Sequence, residues 1–224
     1  MNEQLNFTIT ADGSKTIFNP AIGEHYHSRH GALQESRHVF LQSGLNYFLG
    51  DEIKEASILE VGFGTGLNFL VSADHCYLNN INLQYTGIEA FPLSVEIIRD
   101  SGYDQYISPQ VWRAYAHAYE KALQKETSIL TGCQLYIDTT TLLTFQSEKI
   151  FDILYFDAFA AIHQPEMWTE EALRHVAGFL RKGGVFVTYA ITGNLKRTMK
   201  SLGFSIEKAP GAAGKREMLR AVKL

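Results

Sequence analysis

Cysteine is nearly absent from this 224-residue chain, which has only Cys76 and Cys133. They form no Cys-x-x-Cys pair and share no zinc-type spacing with histidine. No metal site and no disulfide framework is expected, and two free thiols suit a cytoplasmic protein. The five prolines build no Pro/Ser-rich linker, and neither a repeat nor a low-complexity tract is visible, which favours one compact unit. No apolar run approaches the roughly 18 residues of a membrane span. The N-terminus, MNEQLNFTIT, lacks the basic and apolar segments of a signal peptide. No membrane partner is expected. A Gly-Lys-Ser/Thr triplet is also missing, which excludes a P-loop.

What is present is a chain able to bury a core, 46% apolar and 20% charged. Its charge is uneven. Residues 1–180 hold 10 Lys/Arg against 22 Asp/Glu, whereas residues 181–224 hold 10 against 2. A basic end on an acidic body reads either as an anion-binding face or as surface neutralised by its neighbours.

Residues 6–19 (NFTITADGSKTIFN) place two β-prone runs around Asp12-Gly13, a hairpin signal. A helix over about 31–48 follows, with Leu33, Phe40, Leu41, Leu45 and Phe48 as its apolar face. From 57 onward strands and helices alternate. Strands are expected at 57–61, 83–89, 133–137, 151–156 and 185–190, and helices at about 66–77, 92–100, 110–125, 169–181 and 193–202. Gly183-Gly184 reads as a turn, and 204–208 with 217–222 as a closing antiparallel pair. The implied fold is α/β: a Rossmann-like, mainly parallel sheet over 51–224 with an antiparallel C-terminal edge pair, and an N-terminal hairpin and helix extension over 1–50. Right-handed crossovers put the loops after the first, second and fourth strands on one edge, where such sheets bind ligands.

The stretch ILEVGFGTGLNF at 58–69 is a strand running into a glycine turn and a helix. Gly62, Gly64 and Gly66 resemble a dinucleotide fingerprint, but Leu67 stands where its third glycine belongs. Glu60 precedes the turn. A carboxylate there opposes a pyrophosphate and favours a ligand with ammonium and sulfonium charge, such as S-adenosylmethionine. Glu89, ending the second strand, can accept from ribose hydroxyls. Asp138, ending the third, can accept from an adenine amino group. Each acid alone also reads as a helix cap or a solvated turn. Together they indicate a class I S-adenosylmethionine-dependent methyltransferase, with Glu60, Gly62, Gly64, Gly66, Asn68, Glu89, Asp138 and Asp157 at the cofactor.

Asp157 ends the fourth strand, on the edge that faces the transferable methyl. An amine acceptor must lose its proton, because an alkylammonium with a pKa near ~10 has no free lone pair. Asp157 is the expected catalytic acceptor of that proton, against the alternative of an Asp capping the next turn. Phe159, Pro165 and Trp168, in the loop DAFAAIHQPEMW, are expected to shape the acceptor pocket.

Several separated motifs carry a family likeness. They are GALQESRHVFL at 31–41, the turn at 60–68, EAFPL at 89–93, the loop at 157–168 and GKREML at 214–219. The chain resembles the methyltransferase domain of the bacterial bifunctional proteins that complete 5-methylaminomethyl-2-thiouridine at the tRNA wobble position. Ala158 and Ala161 depart from the Gly and Pro of that family's loop. The resemblance implies N-methylation of an aminomethyl-uridine in tRNA by S-adenosylmethionine. No oxidase domain is expected after residue 224, so a separate enzyme would supply the aminomethyl group. The basic end, with Lys196, Arg197, Lys200, Lys215 and Arg216, is then expected to contact tRNA phosphates. The alternatives are another RNA base or a small amine as acceptor, or a non-catalytic tRNA-binding subunit. The histidines at 25, 27 and 30 are read as surface or pocket-lining groups, His163 as a weaker proton acceptor than Asp157, and Glu35 with Arg37 as a structural ion pair.

Overall fold

The computed structural model describes residues 6–50 and 52–224. Strands β1 (Asn6–Ile9), β2 (Lys15–Asn19) and β3 (Glu24–His25) form a small antiparallel sheet. The expected hairpin joins β1 to β2. Asp12 closes it by accepting from the Ser14 amide, and its Oδ2 accepts from the Gln34 amide at 2.8 Å, tying the hairpin to the next helix. That helical stretch comprises α1 (Ala32–Glu35), a π-helical segment Ser36–Asn46 and α2 (Tyr47–Leu49). The apolar spacing predicts an ordinary α-helix here, and the structure widens its middle turns. Such turns are rare and concentrate at functional sites.

Among the described residues, eight strands form the main sheet in the order β10-β11-β9-β8-β4-β5-β7-β6. These are β4 (Glu55–Val61), β5 (Asn82–Ile88), β6 (Thr127–Leu130), β7 (Cys133–Asp138), β8 (Phe151–Phe156), β9 (Leu180–Thr188), β10 (Phe204–Pro210) and β11 (Glu217–Lys223). From β7 through β5, β4 and β8 to β9 the pairing is parallel. The pair β10–β11 is antiparallel, as expected. Helices α3 (Leu67–Asn79), α4 (Val95–Asp100), α5 (Pro109–Ala122), α6 (Glu170–Ala177) and α7 (Gly193–Ser201) complete the fold.

The central strands are apolar because both faces are covered. Side chains alternate across the sheet. Ile58, Ile153 and Tyr155 join one core with α3, α5 and the N-terminal helix, while Leu59, Val61, Leu154 and Phe156 join the other with α6 and α7. Burying each such large side chain stabilises the fold by about 1.5–3 kcal/mol. Two strand boundaries differ from expectation. Strand β6 is a four-residue edge strand with a bulge against β7, too short for alternation to reveal. The Gly183-Gly184 pair lies inside β9, where the register against β8 shifts, rather than in a turn before it.

Candidate active site

The parallel strands β4 and β8 lie side by side where the chain order reverses, and both end at the same edge. The glycine turn leaves β4 there. Gly62, Gly64 and Gly66 all take positive φ values, 83°, 51° and 77°, which glycine adopts without strain. A Cβ on Gly62 would lie 2.5 Å from the carbonyl oxygen of Asp157. Only glycine lets the turn press against the end of β8, and that contact sets Asp157 beside the turn.

Glu60 shares a strand face with Ile58, so its side chain points under α3 and is 0% exposed. Its Oε1 accepts from Asn68 Nδ2 at 2.8 Å and its Oε2 from the Tyr85 hydroxyl at 2.8 Å. The expectation of a carboxylate facing the cofactor is corrected: Glu60 is covered, and Asn68 stands above it. Burial, and then Asp157, hold the Glu60 carboxyl well above the usual range. Asn68 Nδ2 also donates to Asp157 Oδ2 at 2.7 Å, so one amide bridges two acids. Its Oδ1 is buried with no hydrogen-bond donor. Asp157 is pushed up to about 8, first by burial and next by Glu35, with Asn68 and Lys215 opposing.

Glu89 follows β5 and accepts from the Gly64 amide at 2.8 Å and the Phe91 amide at 3.0 Å. It therefore sits on the glycine turn, where a ribose acceptor is expected. Asp138 accepts from the Thr140 amide at 2.9 Å and from the Tyr136 hydroxyl at 3.2 Å. Those bonds are the turn-capping arrangement left open by the sequence.

A cavity of about 280 Å³ opens beside Asp157, lined by Glu24, Tyr26, Glu35, Phe159, Tyr189 and Lys215 among others. The loop at its floor is held from three directions. Glu24 Oε2 accepts from the Ala160 amide at 2.8 Å, Trp168 Nε1 donates to the Phe159 carbonyl at 2.7 Å, and the Tyr189 hydroxyl donates to the Ala158 carbonyl at 2.9 Å.

Phe159 lines the cavity as expected, but the two other expected pocket residues, Pro165 and Trp168, do not. Pro165 is exposed on the 3-10 turn Pro165–Trp168, outside the cavity. Trp168 packs edge-on against Phe156, so it supports the loop from behind. Arg216, read as a phosphate contact and not as a pocket residue, is exposed and lies outside the cavity. Lys215 does line it, yet its Nζ pairs with Glu35 at 2.6 Å and lies 3.8 Å over the Tyr189 ring. Glu35 thus pairs with Lys215 and not with Arg37.

Sequence reasoning missed Glu24, Tyr26 and Tyr189, which no local pattern marks. The histidines separate: His25 packs on Phe18, His27 bonds Thr65, and His30 packs over Gly214. Among the described residues, Lys182, Lys196, Arg197, Lys200 and Arg216 have no carboxylate partner, whereas Arg181, Lys208, Lys215 and Arg220 do.

The sheet order defines a Rossmann-like α/β fold, with the glycine turn and the strand-end acids Glu89 and Asp157 gathered at one edge. The profile of the S-adenosyl-L-methionine-dependent methyltransferases matches residues 105–224, and the chain belongs to that family. It is similar to the tRNA 5-methylaminomethyl-2-thiouridine biosynthesis bifunctional protein MnmC of Acidovorax sp. (strain JS42), at 30% identity over 92% of this chain and 34% of the relative. The protein of that name from Methylobacillus flagellatus is 32% identical over 88% of this chain and 32% of its own length. This chain therefore spans about a third of those relatives. The crystal structure of MnmC2 from Aquifex aeolicus shares the fold, with a TM-score of 0.79 at 23% identity, covering 99% of this chain and 71% of the other. S-adenosylmethionine is the methyl donor of this family. The residues fit it: the buried Asn68 Oδ1 lacks a donor, which an ammonium supplies, and carboxylates rather than cations surround the turn.

Proposed function

We propose that this chain N-methylates the aminomethyl group of a wobble uridine in tRNA. The observation that supports this reading most is the aromatic-walled cavity beside Asp157. Glu24 and Glu35 line it with Arg29 and Lys215, the last pairing with Glu35, and Asp157 adjoins it as the proton acceptor an amine needs. Tyr26, Phe159 and Tyr189 offer faces for a pyrimidine taken out of its stack.

S-adenosylmethionine, when bound, supplies a methyl group on a positively charged sulfur. In this reading Glu89 accepts from the ribose hydroxyls, Asn68 Oδ1 from the ammonium of the amino-acid tail, and Asp138 from the adenine amino group. Asp157 takes the proton of the acceptor ammonium, which frees the nitrogen lone pair, and orients the neutral amine for attack on the methyl carbon. A carboxyl raised to about 8 suits that task better than an ordinary Asp. The clamp from Glu24, Trp168 and Tyr189 keeps the Asp157 loop in place, and alignment is most of what an in-line displacement asks of its enzyme.

The names of the curated relatives support tRNA as partner. So do the unpaired cations Lys196, Arg197 and Lys200 on α7, whose N-terminus follows β9 at the active-site edge. They position the phosphate backbone, in the cytoplasm. Among the described residues no helix is long and apolar enough to cross a membrane. Mass spectrometry of tRNA nucleosides from a strain lacking the protein tests the reading. Unmethylated aminomethyl-uridine is expected to accumulate, and an unchanged profile refutes the substrate.

A further inference from the structure

Tyr26 belongs to neither the glycine turn nor the acceptor loop, yet it touches both. A Cβ on Gly64 would lie 2.9 Å from its Cδ1 and 3.3 Å from its Cε1, so the ring rests on the turn. On its other side it meets Phe159 edge-to-face, with centroids 5.2 Å apart at 70°. It also lines the acceptor cavity. Burial, and then the charge of Glu89, push its hydroxyl up to about 12, so the ring is a neutral phenol close to the ribose acid.

The backbone carrying Tyr26 is pinned at both ends. Glu24 holds the Ala160 amide. The Tyr26 amide donates to the Ile17 carbonyl at 2.9 Å. His27 Nε2 and Thr65 Oγ1 are bonded at 3.0 Å. The Tyr103 hydroxyl gives its proton to the Lys15 carbonyl, so Thr65 donates to Tyr103, and His27 in turn donates from Nε2. Burial holds His27 near 4, hence neutral at physiological pH. This segment, a strap over residues 24–27, crosses the site as a fixed element.

In S-adenosylmethionine the sulfur is bonded to the ribose C5′ and must present its methyl to the acceptor. With the ribose at Glu89 and the acceptor at Asp157, the sulfur falls along the line that Tyr26 borders. We propose that Tyr26 is a positioning residue for the methyl donor, its ring packing against the positive sulfur and forming the partition between cofactor and acceptor. A cation beside an aromatic face is attracted by the ring quadrupole. This inference rests on the cofactor placement proposed above but not on tRNA as the acceptor.

Calorimetric titration of S-adenosylmethionine and of S-adenosylhomocysteine, whose sulfur is neutral, tests it directly. Tyr26→Leu should weaken S-adenosylmethionine about fivefold more than S-adenosylhomocysteine, whereas Tyr26→Phe should bind both as the parent does. A series of fluorinated phenylalanines at position 26 keeps the ring's shape, covering the case in which Tyr26→Leu does not fold. Affinity for the charged donor alone should fall with each added fluorine. Equal losses for both ligands, or none, overturn the proposal. If the parent binds neither ligand, the cofactor placement fails with it. A shifted ratio in a protein inactive on tRNA refutes the acceptor assignment and leaves this inference standing.

Discussion

Asn68 Nδ2 donates to Asp157 Oδ2 at 2.7 Å while its second N–H serves Glu60. The amide separates two acids that would otherwise face each other across a buried space. Asn68→Ala should therefore destabilise the fold by about 1–3 kcal/mol, the cost of leaving buried polar groups without partners. Urea denaturation measures this, and the same variant should bind S-adenosylmethionine less tightly because Oδ1 is lost.

Asp157→Asn keeps the shape and the bond from Asn68 but removes the proton acceptor. The expected loss in kcat is about 10²–10⁴-fold, with cofactor affinity retained. In the parent, kcat/KM should rise with pH through about 8, where Asp157 ionises. A flat profile across that range contradicts the general-base role.

The same shift has a stability consequence of fixed sign. A carboxyl raised from 3.8 to about 8 holds its proton in the folded state over pH values where the unfolded chain has released it. Stability from this group is fully present below the unfolded value and is lost as pH rises through the folded one. Asp157→Asn escapes that penalty. Its melting temperature should exceed the parent's by an amount that grows from about pH 4 to about pH 8 and then levels off, reaching about 3 °C or more. Thermal unfolding at a series of pH values measures the difference.

Two groups of cations should behave differently. Lys215→Met removes the cation from Glu35 and leaves it only the Ser28 amide, and since Glu35 is only 5% exposed, the expected cost is about 1–3 kcal/mol of stability. Replacing Arg197 and Lys200 by Ala should leave stability nearly unchanged. Each replacement should reduce the slope of log affinity for tRNA against log salt by about one. Filter binding across a salt series distinguishes these outcomes.

The parts of this site that repeat a local pattern were legible in the sequence. Strand ends after apolar runs locate Glu89 and Asp157, and the glycine spacing locates the turn. The burial of Glu60 is not read from the sequence: its charge suggests exposure to a ligand, whereas the strand face it shares with Ile58 turns it into the core. Pro165 and Trp168 sit in the right loop, but a 3-10 turn swings one outward and the other behind. The strap has no local signature. Glu24 reaches Ala160 across 136 residues and Lys215 reaches Glu35 across 180, and only the folded chain brings such pairs together. The π-helical middle of the N-terminal helix escapes detection as well, since its apolar spacing fits an α-helix equally.

The central claim is that one edge of the sheet aligns a cationic methyl donor with a tRNA amine through Asp157. It is tested most directly by incubating the purified chain with S-adenosylmethionine labelled in its methyl group and tRNA bearing an aminomethyl wobble uridine, then identifying the labelled nucleoside by mass spectrometry. The account predicts label in the methylaminomethyl-uridine with the parent protein and almost none with Asp157→Asn. Label in a different nucleoside, or equal label with Asp157→Asn, would contradict it.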